Sequence, residues 1–173
     1  FFLFLAYSNI HTGIMNNVLK VFNNFSQEYF ENKYENEKRY DELFKNADEY
    51  LEKILQKINE LQFDKNSIIV VLSVHGISLG EKFGERAYGA FCYDYTLKTF
   101  CYINSPEIKP KIIDQQIRHI DIMPTILDML NISLNTNYEN IDGVSLMPLI
   151  KGNDVDENIA YSETGNPLNE KAP

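Results

Sequence analysis

Three side chains in this 173-residue sequence carry an imidazole ring, at His11, His75 and His119. An imidazole changes charge near neutral pH and serves equally as proton carrier or metal ligand. His75 stands two residues after the apolar run Ser67–Ser73 and directly before Gly76, which lets backbone approach closely. A histidine so placed presents one ring nitrogen to a metal or substrate while a neighbouring acceptor holds the other. His11, in Ser8-Asn9-Ile10-His11-Thr12, follows a first apolar run and repeats that logic. The competing reading of both is a strand-end histidine satisfied by backbone. His119 lies in an apolar-flanked segment, where a core or capping role is expected. Glu81 and Glu85 lie in a glycine-bounded stretch, and their chemistry stays open. No Gly-x-Ser-x-Gly elbow and no Gly-Lys-Ser/Thr phosphate loop occurs.

The elements that position these residues follow from hydrophobic periodicity. Phe1–Tyr7 is a short continuous apolar run and predicts a buried strand. Residues 16–34 are rich in Asn and aromatics and fit either helix or loop. Between 35 and 61, Tyr40, Leu43, Phe44, Ala47, Leu51, Ile54, Leu55, Ile58 and Leu61 recur at three- and four-residue steps. That spacing predicts a long amphipathic helix with its stripe in the core. Ser67–Ser73 is β-branched with little alternation and predicts a central strand covered on both faces. Lys98–Ile103 predicts another strand and Ile117–His119 a short one. Asp121 is placed to cap a helix over Ile122–Leu130 with Pro124 in its first turn. Leu146–Ile150 is a short apolar segment closed by Gly152. Strands alternating with helices imply an α/β layered domain with a mainly parallel central sheet flanked by helices. Ligands of such sheets sit at the carboxyl ends of the strands. That singles out the loop with His11, the loop with His75, and the stretch Gly80–Gly89.

Charge narrows the partners. The chain has 16 Lys and Arg against 25 Asp and Glu, for a net charge of −9. Residues 1–62 carry −3, residues 63–110 are neutral, and residues 111–173 carry −6. Without a basic stripe, neither nucleic acid nor an anionic membrane surface is an expected partner. The neutral middle segment is the least hostile to an anionic substrate. The opening apolar run is too short for a membrane span of ~20 residues. Cys92 and Cys101, with eight residues between them, read as small hydrophobes in adjacent core segments.

The ordered motifs resemble those of the sulfatase family, within the alkaline-phosphatase-like superfamily. Phe1-Phe2-Leu3-Phe4-Leu5 followed by His11-Thr12 resembles an apolar strand leading into a Pro-His loop. Tyr40-Asp41 through Asp48-Glu49 and Leu55 is similar to the helix before the family's metal-binding strand. Ser67–Gly80 resembles a strand ending in Ser-Asp-His-Gly-Glu-x-x-Gly, and Tyr93–Lys98 a Leu-Tyr-Glu-Glu-x-x-Arg stretch. His119-Ile120-Asp121-Ile122-Met123-Pro124-Thr125-Ile126-Leu127-Asp128 is the most specific match. Ile141–Ile150 and Tyr161-Ser162-Glu163-Thr164 follow in the expected order.

The resemblance implies an incomplete alkaline-phosphatase-like layered fold. Residues 1–173 are then expected to be the C-terminal portion of a single sulfatase-like domain, with the nucleophile segment elsewhere. Neither Cys92 nor Cys101 fits the family's Cys/Ser-x-Pro-x-Arg nucleophile pattern. It implies hydrolysis of a small-molecule sulfate ester, or in relatives a phosphate ester, with a divalent cation (Ca, Mg, Mn or Zn) in the complete parent. By the same resemblance His75 maps to a metal-binding side chain and His11 to a catalytic contact with a substrate oxygen. Two positions depart from the pattern. The Asp expected before His75 is Val74, which offers no charged oxygen to a hard cation. The Lys or His expected before Tyr93 is Tyr88, whose hydroxyl donates a hydrogen bond but brings no charge. These departures motivate one alternative, a non-catalytic homologue that has lost its metal site; His75 beside the missing Asp, which suits a softer metal such as Zn or Mn, is compatible with another, a phosphodiesterase or phosphotransferase on the same scaffold. For residues 1–173 alone no esterase activity is expected.

Overall fold

The computed structural model describes residues 1–14, 27–85, 87–133, 141–153 and 155–165. Six helices and two strands occur among them: α1 (Asn9–Ile14), α2 (Gln27–Glu31), α3 (Lys33–Glu60), β1 (Ile69–Leu72), α4 (Asp94–Leu97), β2 (Cys101–Asn104), α5 (Ile122–Met129) and α6 (Met147–Ile150). The chain divides into two compact units. One comprises residues 1–63, 70–102 and 162–173, the other residues 64–69 and 103–161.

In the first unit α3 is the organising element. Its 28 residues make a rod of about 42 Å at 1.5 Å per residue. The expected stripe is present, yet it is only half-buried at Tyr40, Leu43, Ala47, Leu51, Ile54 and Ile58, while Phe44, Leu55 and Leu61 are exposed. The one fully buried residue of α3 is polar. Asn36 donates from Nδ2 to the carbonyls of Tyr29 and Leu79, both at 2.9 Å. Those two bonds tie the helix to α2 before it and to the chain after β1. The apolar cluster beside them consists of Ile14, Tyr29 and Leu79, flanked by Phe30, Tyr40, Leu43 and Ile77. The Tyr29 hydroxyl is satisfied inside it, donating to the Ser78 carbonyl at 2.7 Å.

β1 and β2 form a two-stranded sheet. The Ser73 N–H donates to the Phe100 carbonyl at 3.2 Å, so the end of β1 adjoins the start of β2. β1 is half-buried along its whole length rather than covered on both faces. Phe1–Tyr7 is neither strand nor core, which corrects the expectation for that run. Its aromatic and aliphatic side chains are exposed, touching the unit through Phe1 on Phe63 and Tyr7 on Tyr50. An apolar run is buried only where another element lies against it, and among the described residues no strand pairs with this one. Residues 15–26, part of the ambiguous stretch, lie outside the described residues.

The second unit is held by polar bonds around Asp121. The residues around His119 form a 3-10 turn (His119–Asp121) rather than a strand, and His119 is exposed rather than core. Asp121 is fully buried at the junction of that turn with α5, but its carboxylate does not cap α5. It accepts instead from Arg118 Nη2 at 2.8 Å, Arg118 Nε at 3.2 Å, and the backbone N–H groups of Arg118 and Val144, both at 3.0 Å. Burial alone would raise this carboxyl. Arg118 and the two backbone N–H groups outweigh it and hold the group below the usual carboxylate range. Thr125 Oγ1 accepts from the Leu146 N–H at 2.9 Å and donates to the Asp121 carbonyl at 2.6 Å, fastening the segment before α6 to α5.

Candidate functional site

The two histidines singled out from the sequence are joined by a third ring. His11 does not lie in a loop: it is in α1, whose six residues are too few to show periodicity. His75 follows β1, and Tyr88 belongs to the stretch Gly80–Gly89. The Tyr88 hydroxyl lies 3.2 Å from His11 Nδ1. The Tyr88 ring stacks on His75 with centroids 4.2 Å apart and planes inclined by 36°. Three segments distant in sequence thus converge on one cluster in the first unit. His119 is not part of it.

The ring of His75 is oriented from behind. Its Nδ1 lies 2.7 Å from the Gly76 carbonyl, which only accepts, so Nδ1 carries the proton and Nε2 presents a lone pair. Gly76 is required where it stands. Its N–H donates to the Thr96 carbonyl at 2.9 Å, and a Cβ there would collide with the Tyr95 carbonyl. The loop carrying Tyr88 is pinned by a bridge between Ser78 and Ala87. Ala87 takes φ 64°, a left-handed conformation that a residue with a Cβ rarely adopts.

Beneath that loop lies a buried polar group whose role the sequence left open. Glu85 is 0% exposed. Its Oε1 accepts from the Phe91 N–H at 3.1 Å, while its Oε2 and the buried Tyr95 hydroxyl have no hydrogen-bond partner among the described residues. Burial pushes the Glu85 carboxyl above the usual range, against the lowering effect of the Phe91 N–H. Burial and then the neighbouring Glu85 and Glu81 carboxylates push the Tyr95 phenol up to about 12. Glu81 is satisfied, accepting from the Leu79 N–H at 2.7 Å and the Ser78 hydroxyl at 3.1 Å. A cleft of about 930 Å³ opens beside His75, lined by Tyr40, Phe44 and Phe100, by Lys38, Lys45 and Lys98, by acidic groups of α3, and by Ser73 and Gly76.

His75 has the form of a metal ligand: one nitrogen held by an acceptor, the other free to coordinate. The set around it falls short. Among the described residues no three His, Cys, Asp or Glu side chains group to hold a metal ion. Val74, where the resemblance leads one to expect a carboxylate, is 72% exposed hydrocarbon. The cysteines do not contribute: Cys92 is exposed rather than core, and Cys101 is half-buried in β2 with its thiol pushed up by burial.

A sulfatase family model matches residues 1–132. The chain belongs to the sulfatase family. It is 27% identical over 110 residues to an extracellular sulfatase SULF-1 homolog of Drosophila melanogaster, covering 63% of this chain and 10% of that protein. It is 29% identical over 107 residues to the N-acetylglucosamine-6-sulfatase of Bos taurus, covering 61% of this chain and 19% of that one. Among solved structures it resembles the phosphonate monoester hydrolase SpPMH from Silicibacter pomeroyi, at 27% identity and a TM-score of 0.62, over 72% of this chain and 24% of that chain. The chain therefore spans between a tenth and a quarter of the length of these relatives. Sulfatases generally use a divalent metal, and their substrates are sulfate or phosphate esters. Among the described residues no helix is long and apolar enough to cross a membrane.

Proposed function

We propose that this chain supplies one wall of the active site of a sulfate-ester hydrolase, as the C-terminal portion of a single alkaline-phosphatase-like domain with a mainly parallel sheet. The observation that carries the reading is the convergence of His11 and His75 on Tyr88 in a chain of the sulfatase family. His11 directs a hydrogen bond at an oxygen of the tetrahedral ester, where negative charge grows as the ester bond breaks. His75 is the ligand this chain offers to a divalent cation (Ca, Mg, Mn or Zn) in the parent protein. Such a cation, when bound, neutralises charge on the ester oxygens. Tyr88 in place of a basic residue brings no fixed positive charge to the two histidines at that position. A wall of that kind suits an ester with one negative charge, a sulfate ester or a diester-like monoanion, better than a doubly charged phosphate monoester. The likeness to a phosphonate monoester hydrolase favours a second reading, a phosphodiesterase or phosphotransferase, on the same ground.

The test compares aryl sulfate, aryl phosphate monoester and diester, and aryl phosphonate monoester as substrates of the parent protein. Turnover of aryl sulfate that is lost in His11→Ala supports the first reading; turnover of the diester or phosphonate alone supports the second. Val74, exposed where the family has a carboxylate, favours a third reading, a non-catalytic homologue without a metal. Calorimetric titration decides that point. Replacing a directly coordinating carboxylate costs at least the 10–100-fold that an outer partner does. Val74→Asp should therefore tighten divalent-cation binding by at least about ten-fold. Tight binding already present in the parent and lost in His75→Ala would rule out the non-catalytic reading. Unchanged affinity in Val74→Asp would remove position 74 from the metal site.

A further inference from the structure

We infer that Tyr88 is a positioning residue that holds neutral His11 in the tautomer protonated on Nε2, so that the site presents one imidazole donor beside one imidazole acceptor. The inference rests on the reading that His11 faces the substrate, and the tautomer itself is measurable without any substrate. Two nitrogens of the cluster are constrained from behind. At His75 the partner is the Gly76 carbonyl, 2.7 Å from Nδ1, which can only accept. That leaves His75 Nε2 bare. At His11 the partner is a phenol hydroxyl, 3.2 Å from Nδ1. A phenol O–H is a strong donor, and the bare nitrogen of a neutral imidazole is a strong acceptor. The bond therefore runs from Tyr88 to His11 Nδ1, and the proton of His11 sits on Nε2. The two rings end up in opposite tautomers because one partner can only accept while the other has a strong O–H to donate.

The placement of Tyr88 is enforced. It sits between Ala87 at φ 64° and Gly89 at φ 90°, two consecutive exceptions to ordinary backbone on either side of one residue. A left-handed alanine is strained and persists only where surrounding contacts impose it. Here those contacts are the Ser78 N–H on the Ala87 carbonyl and the Thr164 hydroxyl on the Gly89 carbonyl, both at 2.5 Å. The ring of Tyr88 is also stacked on His75, so its hydroxyl has little freedom to leave His11. Where the sequence resemblance leads one to expect a Lys or His, Tyr88 acts through a neighbour: it determines which hydrogen His11 offers.

The experiment is nitrogen-15 NMR of the 173-residue chain labelled at histidine, at about pH 8, where an ordinary imidazole is neutral. The three histidines are assigned from single His→Gln variants. In the wild-type chain His11 should show a bare Nδ1 and a protonated Nε2, and His75 the reverse. Tyr88→Phe keeps the ring on His75 and deletes only the hydroxyl. It should raise the Nδ1-protonated share of His11 about five-fold, the ratio that one ordinary hydrogen bond sustains. His75 should be unmoved. A wild-type His11 protonated on Nδ1 overturns the inference by itself, so a Tyr88→Phe chain that failed to fold would not protect it. An unchanged His11 ratio in a folded Tyr88→Phe chain, or an equal change at His75, overturns it as well. Failure of the hydrolase reading appears elsewhere, as absent ester turnover by a parent protein whose His11 has the expected tautomer.

Discussion

Replacing Glu85 by Gln should stabilise the protein at alkaline pH and do nothing at acid pH. Glu85 is fully buried with Oε2 unpartnered, and its carboxyl is raised above the usual range, by burial first. A carboxyl whose native value is raised contributes its stability fully below the unfolded value, about 4.3, and loses it as pH rises through the native value. As pH rises through that native value the wild-type chain comes to bury an ionised group with one oxygen unsatisfied. The glutamine amide keeps an acceptor for the Phe91 N–H and adds N–H donors where Oε2 of Glu85 has no partner. Relieving an unsatisfied buried group is worth about 1–3 kcal/mol. A gain near the middle of that range raises the thermal midpoint by about 5 °C for a chain of this size. Urea unfolding followed by circular dichroism at pH 4 and pH 8 measures the difference. The variant should be about 2 kcal/mol more stable at pH 8 and within about 0.5 kcal/mol of wild type at pH 4. A variant less stable than wild type at pH 8, or a difference of equal size at both pH values, would refute the reasoning.

The second unit should respond with the opposite sign. Asp121 is held below the usual carboxylate range, so its contribution is present above that range and lost as pH falls through the lowered native value. Asp121→Asn leaves Arg118 facing a neutral amide and should cost about 3 kcal/mol at pH 7, a deficit that shrinks below about pH 4 in the same urea experiment. Gly76→Ala drives a Cβ into the Tyr95 carbonyl and shifts the turn that orients His75. It should cost about 2 kcal/mol in thermal melts and broaden the His75 ring signals by NMR, whereas a change on the surface would move neither.

Periodic features were legible in the amino-acid order and non-periodic ones were not. The helix expected over 35–61 is α3, because nine apolar residues mark one face at steps of three and four. The core of β1 was legible from β-branched content, and β2 overlaps the strand expected over Lys98–Ile103. His11 and His75 were legible from their place after apolar runs and from the motif order, and the fold brings them to one tyrosine. Phe1–Tyr7 was misread because an apolar run reports the preference for burial and not the presence of a partner. Cys92 and His119 were misread for the same reason, since apolar neighbours in sequence say little about a single side chain's exposure. Asn36 left no trace, Asp121 reads as a helix cap that it is not, and the role of Glu85 stays open, because a buried polar side chain is defined by partners distant in sequence. Glu85 had one faint signal, its place directly after Gly84 in a stretch dense with glycine.

The buried set explains why those hidden residues matter to the site. It holds Asn36, Ser78, Glu85, Thr96, Ser105, Asp121 and Thr125 against Ile14, Tyr29, Leu79, Ala87, Ile122 and Leu146. Apolar burial is non-directional and tolerates sliding, whereas hydrogen bonds in a low-dielectric interior fix both distance and angle. The Tyr88 loop is held by the directional kind. Tyr29 donates to Ser78, Asn36 to Leu79, and the Ser78 hydroxyl to the Glu85 carbonyl at 2.9 Å. Each bond ends on a backbone carbonyl within ten residues of Tyr88, so the chain from α3 to that ring has no purely apolar link. The hydroxyl of Tyr88 therefore owes its place beside His11 to a helix whose apolar stripe is only half-covered. Loss of Asn36 would act first on the geometry of the three rings, through the Leu79 carbonyl, and only then on the stability of the fold.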